Sequence, residues 1–161
     1  MRKRNKKPKF WGFLPYHLLK EPYEMMVHKE DRERSEAKVS SLRECSKSSI
    51  RSLAVILVDE FPEGAILALY GTLGAGKTTL AKAIASLACG LEEDAVQSPT
   101  YTYMHLYEEL VHFDLWRIKD EEEFIAQGFE EYVGCRKWTI IEWPERIETL
   151  LPSTTVRINL C

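Results

Sequence analysis

One octapeptide narrows the folds open to this chain more than anything else in it. Residues Gly71-Thr72-Leu73-Gly74-Ala75-Gly76-Lys77-Thr78 read G-x-x-x-x-G-K-[ST], the phosphate-binding P-loop. Before them runs Ala65-Ile66-Leu67-Ala68-Leu69-Tyr70, a short apolar run suited to a buried parallel strand. After them Leu80, Ala83, Ile84, Leu87 and Ala88 recur at helical spacing up to Gly90, a helix stop. Strand, glycine loop and helix in that order are the context the motif requires. Glycines let backbone N–H groups close on phosphate oxygens, and a helix starting near Thr78 adds the positive end of its dipole. Lys77 is expected to reach the β- and γ-phosphates, and the Thr78 hydroxyl to bind Mg²⁺. The motif predicts a nucleoside triphosphate site.

Charge is divided unevenly. Residues 1–48 hold 13 Lys/Arg against 7 Asp/Glu, and residues 49–161 hold 9 against 18. An acidic domain repels nucleic-acid phosphates, so any nucleic acid served by this chain is expected to be handled by a partner. Cys45, Cys89, Cys135 and Cys161 form no C-x-x-C pair and no Cys/His zinc cluster, a pattern suited to the reducing cytosol. No stretch reaches the roughly 20 apolar residues of a membrane span. The basic segment 2–9 followed by Phe10 to Leu19 has the outline of a signal peptide, but Pro15 and His17 interrupt it and no small-x-small site follows. It is read as a mobile basic tail, or as an over-long start with Met25 or Met26 as the true first residue. Residues 28–48 are charged, Ser-rich and read as a linker. The expected domains are a polar tail over 1–48 and one α/β domain over 49–161.

Within that domain Ile50, Leu53, Ala54, Leu57, Val58 and Phe61 fit one helix face, with Ser48 or Ser49 as N-cap. The hydroxyl-rich Ser98-Pro99-Thr100 follows the P-loop helix, where nucleotide switches place a threonine that senses γ-phosphate and Mg²⁺; the same residues also make an ordinary turn. Residues 103–107 and 110–113 pair as a hairpin around Glu108-Glu109. On the second strand His112, Asp114 and Trp116 share a face. Asp114 sits where a carboxylate meets Mg²⁺ or an attacking water, or caps a turn. Asp120 to Gln127 reads as a short helix stopped by Gly128, with Glu121-Glu122-Glu123 as its solvated first turn. Trp138 to Glu142 is a buried strand ending in a carboxylate, the Walker B layout, which puts Glu142 near Thr78 if the strand lies beside the P-loop strand. Glu145 and Glu148 read as helix surface, and Val156 to Leu160 as a last strand. The absence of Asn-Lys-x-Asp argues for ATP over GTP.

The ordered set Gly71 to Thr79, Ser98-Pro99-Thr100-Tyr101-Thr102, His112-Phe113-Asp114-Leu115-Trp116-Arg117 and Ile141-Glu142-Trp143-Pro144-Glu145 resembles the TsaE family, over residues 49–160. The resemblance implies a P-loop NTPase-like α/β fold: a mainly parallel sheet with an antiparallel hairpin and helices on both faces. It implies a cytoplasmic ATPase that uses ATP and Mg²⁺ and supports threonylcarbamoyladenosine modification of tRNA. The implied partners are TsaD and TsaB, with tRNA met only through them. TsaD would transfer the threonylcarbamoyl group from its adenylate, and the ATPase would reset the complex. Matched position by position, Gly74, Ala75, Gly76, Lys77, Thr78 and Thr79 would bind phosphates. Thr100 matches the switch threonine, Asp114 the essential aspartate, and Glu142 the metal-site glutamate. Glu142 is assigned to Mg²⁺ and Asp114 to the water, roles that are interchangeable on sequence. Thr72 departs from the acidic residue usual after the first glycine, Trp116 stands for the usual Tyr, and the adenine-contacting segment at 46–49 matches poorly. Two other readings remain. A P-loop small-molecule kinase would usually need an Arg-bearing lid; only Arg117, Arg136 and Arg146 are candidates in the core, and no Arg-rich lid is visible in the sequence. A non-hydrolysing nucleotide-dependent module would bind ATP without turnover.

Overall fold

Parallel pairing around the P-loop strand organises the molecule. The computed structural model describes residues 39–42 and 47–160. Six strands form one sheet in the order β1-β6-β2-β5-β4-β3: β1 (Val39–Leu42), β2 (Ile66–Tyr70), β3 (Met104–Leu106), β4 (Leu110–Asp114), β5 (Trp138–Glu142) and β6 (Val156–Leu160). All neighbours pair in parallel except β3 and β4, the expected hairpin. β2 lies centrally between β5 and β6, so its carboxyl end opens where the chain order reverses, the usual place for a ligand in such sheets.

Side-chain parity builds two cores. Leu67 and Leu69 of β2, Ile140 of β5 and Ile158 of β6 face α1 (Lys47–Glu60) and α2 (Lys77–Cys89), meeting Leu53, Leu57, Leu80 and Ile84. Ala68, Val111, Phe113 and Ile141 face the other way, onto α3 (Glu121–Ala126) and the 3-10 turns beside it. There Phe113, Phe124 and Phe129 stand 5.6–6.0 Å apart, ring to ring, in tilted and edge-on contacts. Every residue of β4 and β5 is buried, as strands covered on both faces must be.

α2 ends at Gly90, whose left-handed backbone closes the last turn. α3 begins at Asp120, whose carboxylate accepts the Glu123 N–H, and Gly128 follows it with φ of 72°. The first turn of α3 is not simply solvated. Glu121 accepts from the Thr149 backbone N–H and hydroxyl, fastening α3 to the segment after β5.

Several boundaries differ from the sequence reading. The domain does not start at residue 49: β1, inside the stretch read as tail and linker, pairs along β6. α1 begins at Lys47, which puts Ser48 and Ser49 inside the helix rather than at its cap. β4 stops at Asp114, so Trp116 is not on its face; instead the Trp116 N–H folds back onto the Asp114 carboxylate. Glu148 lies in a 3-10 turn and accepts from Tyr70 and Arg157. The basic segment and Met25 and Met26 lie outside the described residues. Among the described residues no helix is long and apolar enough to cross a membrane.

Candidate functional site

Four segments converge on one cleft of about 430 Å³ at the carboxyl ends of β2, β4 and β5. The loop after β2 forms its floor. Gly71 has φ of 145° and Gly76 of 95°, and a Cβ on Gly71 would lie 2.4 Å from the Leu160 carbonyl oxygen, so this turn admits no side chain there. Gly74, Gly76, Lys77, Thr78 and Thr79 line the cleft, while Ala75 points its methyl group into the core and gives its N–H to the Thr72 carbonyl.

Lys77 is buried at the first turn of α2. Its Nζ donates to the carbonyls of Gly71 at 2.6 Å and Thr72 at 2.9 Å, and lies 3.7 Å from the centre of the Trp143 ring. Burial pushes the ammonium below the ordinary lysine value, and the pull of Glu142, Glu145 and Asp114 opposes that shift. Trp143 reaches this place because it takes a left-handed backbone, φ 60° and ψ 47°, directly after β5. A non-glycine residue there costs about 1–2 kcal/mol. The turn also packs Trp143 against Trp116 in a tilted contact, with centroids 4.4 Å apart and the rings at 49°.

The two carboxylates arrive side by side because Asp114 and Glu142 are register partners at the ends of β4 and β5. Glu142 is held from two sides: the Thr78 hydroxyl donates to Oε2 at 3.0 Å, and His112 Nε2 lies 2.8 Å from Oε1. Asp114 Oδ2 lies 2.7 Å from the Ser98 hydroxyl and 2.5 Å from that of Thr100, and the two hydroxyls are 2.7 Å apart. Two hydroxyl protons thus serve three close oxygen contacts. Oδ1 accepts the Trp116 N–H at 3.1 Å. The 98–102 turn that carries the hydroxyls is closed by the Thr102 and Tyr103 N–H groups donating to the Pro99 carbonyl.

A family model described as "Threonylcarbamoyl adenosine biosynthesis protein TsaE" matches residues 45–161. The chain belongs to the TsaE family. Proteins named as tRNA threonylcarbamoyladenosine biosynthesis protein TsaE are similar to it in several bacteria. That of Treponema pallidum is 39% identical over 101 residues, 61% of this chain and 73% of that protein. That of Haemophilus influenzae is 35% identical over 116 residues, 68% of this chain and 72% of that protein. That of Rickettsia conorii is 34% identical over 119 residues, covering 71% and 67%. The crystal structure of YdiB from Bacillus subtilis is 26% identical, covers 69% of this chain and 68% of that one, and has a TM-score of 0.49.

In this TsaE-family cleft, Lys77, Thr78, Thr100, Asp114 and Glu142 all line one wall or floor, with Gly74, Gly76 and Thr79 beside them. Ala75 is set apart, since only its backbone faces the loop. Two residues had no assigned role in the sequence reading. Ser98 shares Asp114 with Thr100, and His112 anchors Glu142. The signal for His112 was its parity, two residues before Asp114 on one strand face. The Thr78 hydroxyl and Glu142 carboxylate form a hard oxygen pair. That donor set suits Mg²⁺, which takes one or two carboxylates and shares the rest of its shell with phosphates and water.

Proposed function

We propose that this chain is a Mg²⁺-dependent ATPase that supports threonylcarbamoyladenosine modification of tRNA, in the cytoplasm and together with TsaD and TsaB. The observation that carries the reading is the meeting of the P-loop pair Lys77 and Thr78 with two strand-end carboxylates, Asp114 and Glu142, in a single cleft. Family membership over residues 45–161 supports the tRNA-modification role.

In this reading backbone N–H groups between Gly74 and Thr79 cradle the phosphate chain at the start of α2, Ala75 excepted, since its N–H goes to the Thr72 carbonyl. Lys77 exchanges two neutral carbonyls for anionic phosphate oxygens, a stronger class of hydrogen bond. Thr78 and Glu142 would hold Mg²⁺, which when bound offsets charge on the β- and γ-phosphates. Asp114 orients the attacking water, and the hydroxyls of Ser98 and Thr100 fix the direction of its carboxylate. The lack of an Asn-Lys-x-Asp element supports adenine over guanine as the base. The acid-rich balance of residues 49–161 supports a site that meets tRNA only through partners. Leu73 and Tyr101 are more than four-fifths exposed and Trp116 nearly half exposed beside the cleft mouth, which supports closure by a partner protein.

The test is a reconstituted modification assay: tRNA, TsaD, TsaB and threonylcarbamoyl adenylate, with and without this chain and ATP. The reading predicts repeated rounds of modification only when both are added, lost with Lys77→Ala. Full modification without the chain, or a phosphorylated small metabolite as its product, would contradict it.

A further inference from the structure

Histidine is an expensive choice for the place His112 occupies, if packing were its task. The side chain is fully buried on β4, between β3 and β5. Its Nδ1 has no hydrogen-bond partner among the described residues, so one ring nitrogen is desolvated without compensation. A leucine there would carry no such cost. The ring's polar contact is at Nε2, 2.8 Å from Glu142 Oε1. A carboxylate only accepts, so Nε2 carries the hydrogen in this contact.

The other oxygen of Glu142 takes the Thr78 hydroxyl at 3.0 Å. A glutamate carboxylate rotates freely about its last bond unless both oxygens are engaged. We propose that His112 is a positioning residue that presets the Glu142–Thr78 pair for a divalent cation, by holding Oε1 so that Oε2 faces Thr78. This rests on the Mg²⁺–nucleotide reading above and adds a residue to it. The strand register makes the arrangement stiff: His112 lies opposite Ile140 and Asp114 opposite Glu142, so donor and acceptor sit on directly neighbouring strands. An outer partner of this kind changes metal affinity without touching the metal.

The experiment titrates a non-hydrolysable ATP analogue into the full chain over a range of Mg²⁺ concentrations. It reads the half-saturating Mg²⁺ concentration and, separately, the metal-free affinity. His112→Leu removes the donor, and His112→Asn leaves an amide too short to reach Glu142. His112→Gln restores an N–H with the reach of Nε2. The Leu and Asn variants are expected to raise the half-saturating Mg²⁺ concentration about 10–100-fold, to leave metal-free affinity unchanged, and to be largely rescued in Gln. If thermal unfolding shows that the Leu variant does not fold, the Asn and Gln variants carry the same comparison. A wild-type Mg²⁺ requirement in the Asn variant, or a Gln variant as impaired as Asn, overturns the role of His112. A wild-type protein whose nucleotide affinity ignores Mg²⁺ overturns the metal reading along with it.

Discussion

At the scale of single residues, Lys77 is the most exacting test of the phosphate site. Its ammonium is already lodged among acceptors at the start of α2, and the other basic side chain among the described residues lining the cleft, Arg117, lies over the Tyr101 ring at 4.5 Å. Lys77→Ala is expected to weaken ATP binding by about 10–150-fold, the worth of one charge-assisted hydrogen-bonding group. Calorimetric titration checks it, and unchanged affinity would refute the assignment. Gly71→Ala is a test of the turn rather than of charge. The left-handed backbone and the Leu160 carbonyl in the way predict a loss of about 1–3 kcal/mol in urea unfolding. These residues were legible in the sequence because the P-loop motif fixes spacing, conformation and chemistry together. Ser98 and His112 were harder to assign. Their partners lie 16 and 30 residues away, and only strand register brings them together.

At the scale of elements, the far face of the sheet is tied by a polar link. The Tyr70 hydroxyl at the end of β2 donates to Glu148, and Arg157 Nε on β6 donates to the other oxygen of the same carboxylate at 3.1 Å. Burial, then the hydrogen bond and charge of Glu148, push the Tyr70 hydroxyl up to about 12. An unfolded tyrosine ionises near pH 10. Between about 10 and 12 the unfolded chain therefore holds fewer protons than the folded one, and stability falls as pH rises. Tyr70→Phe is expected to remove part of that fall, seen as a shallower loss of unfolding midpoint above pH 10 than in the wild type. Equal slopes would mean the link does not persist in solution. The β3–β4 hairpin, α3 and the last strand were legible from turn residues and periodicity. β1 was not. Val39-Ser40-Ser41-Leu42 carries two polar residues of four and is flanked by charges, and its strand state comes from the open edge of β6 rather than from its own propensity.

At the scale of the whole molecule, the cleft and the N-terminal strand sit on separate parts of the sheet. β1 touches β6, while the cleft is built from the ends of β2, β4 and β5. Removing residues 1–46 should therefore lower the thermal midpoint below that of a chain lacking only 1–38, because β6 loses its neighbour. ATP affinity should be equal in the two. A difference in affinity would show that β1 bears on the cleft. The architecture explains why so small a chain can gather four separated segments: parallel strands end on the same side, so every loop after β2, β4 and β5 opens there. The measurement that tests the central claim most directly is phosphate release from Mg²⁺–ATP, by the purified protein alone and with TsaD plus TsaB, for the wild type and Glu142→Ala. The account predicts turnover raised by the partners and reduced about 10²-fold or more in the variant, since the carboxylate acts on charge that develops during the reaction. Turnover that is the same in the variant as in the wild type, or absent with the partners present, would contradict it.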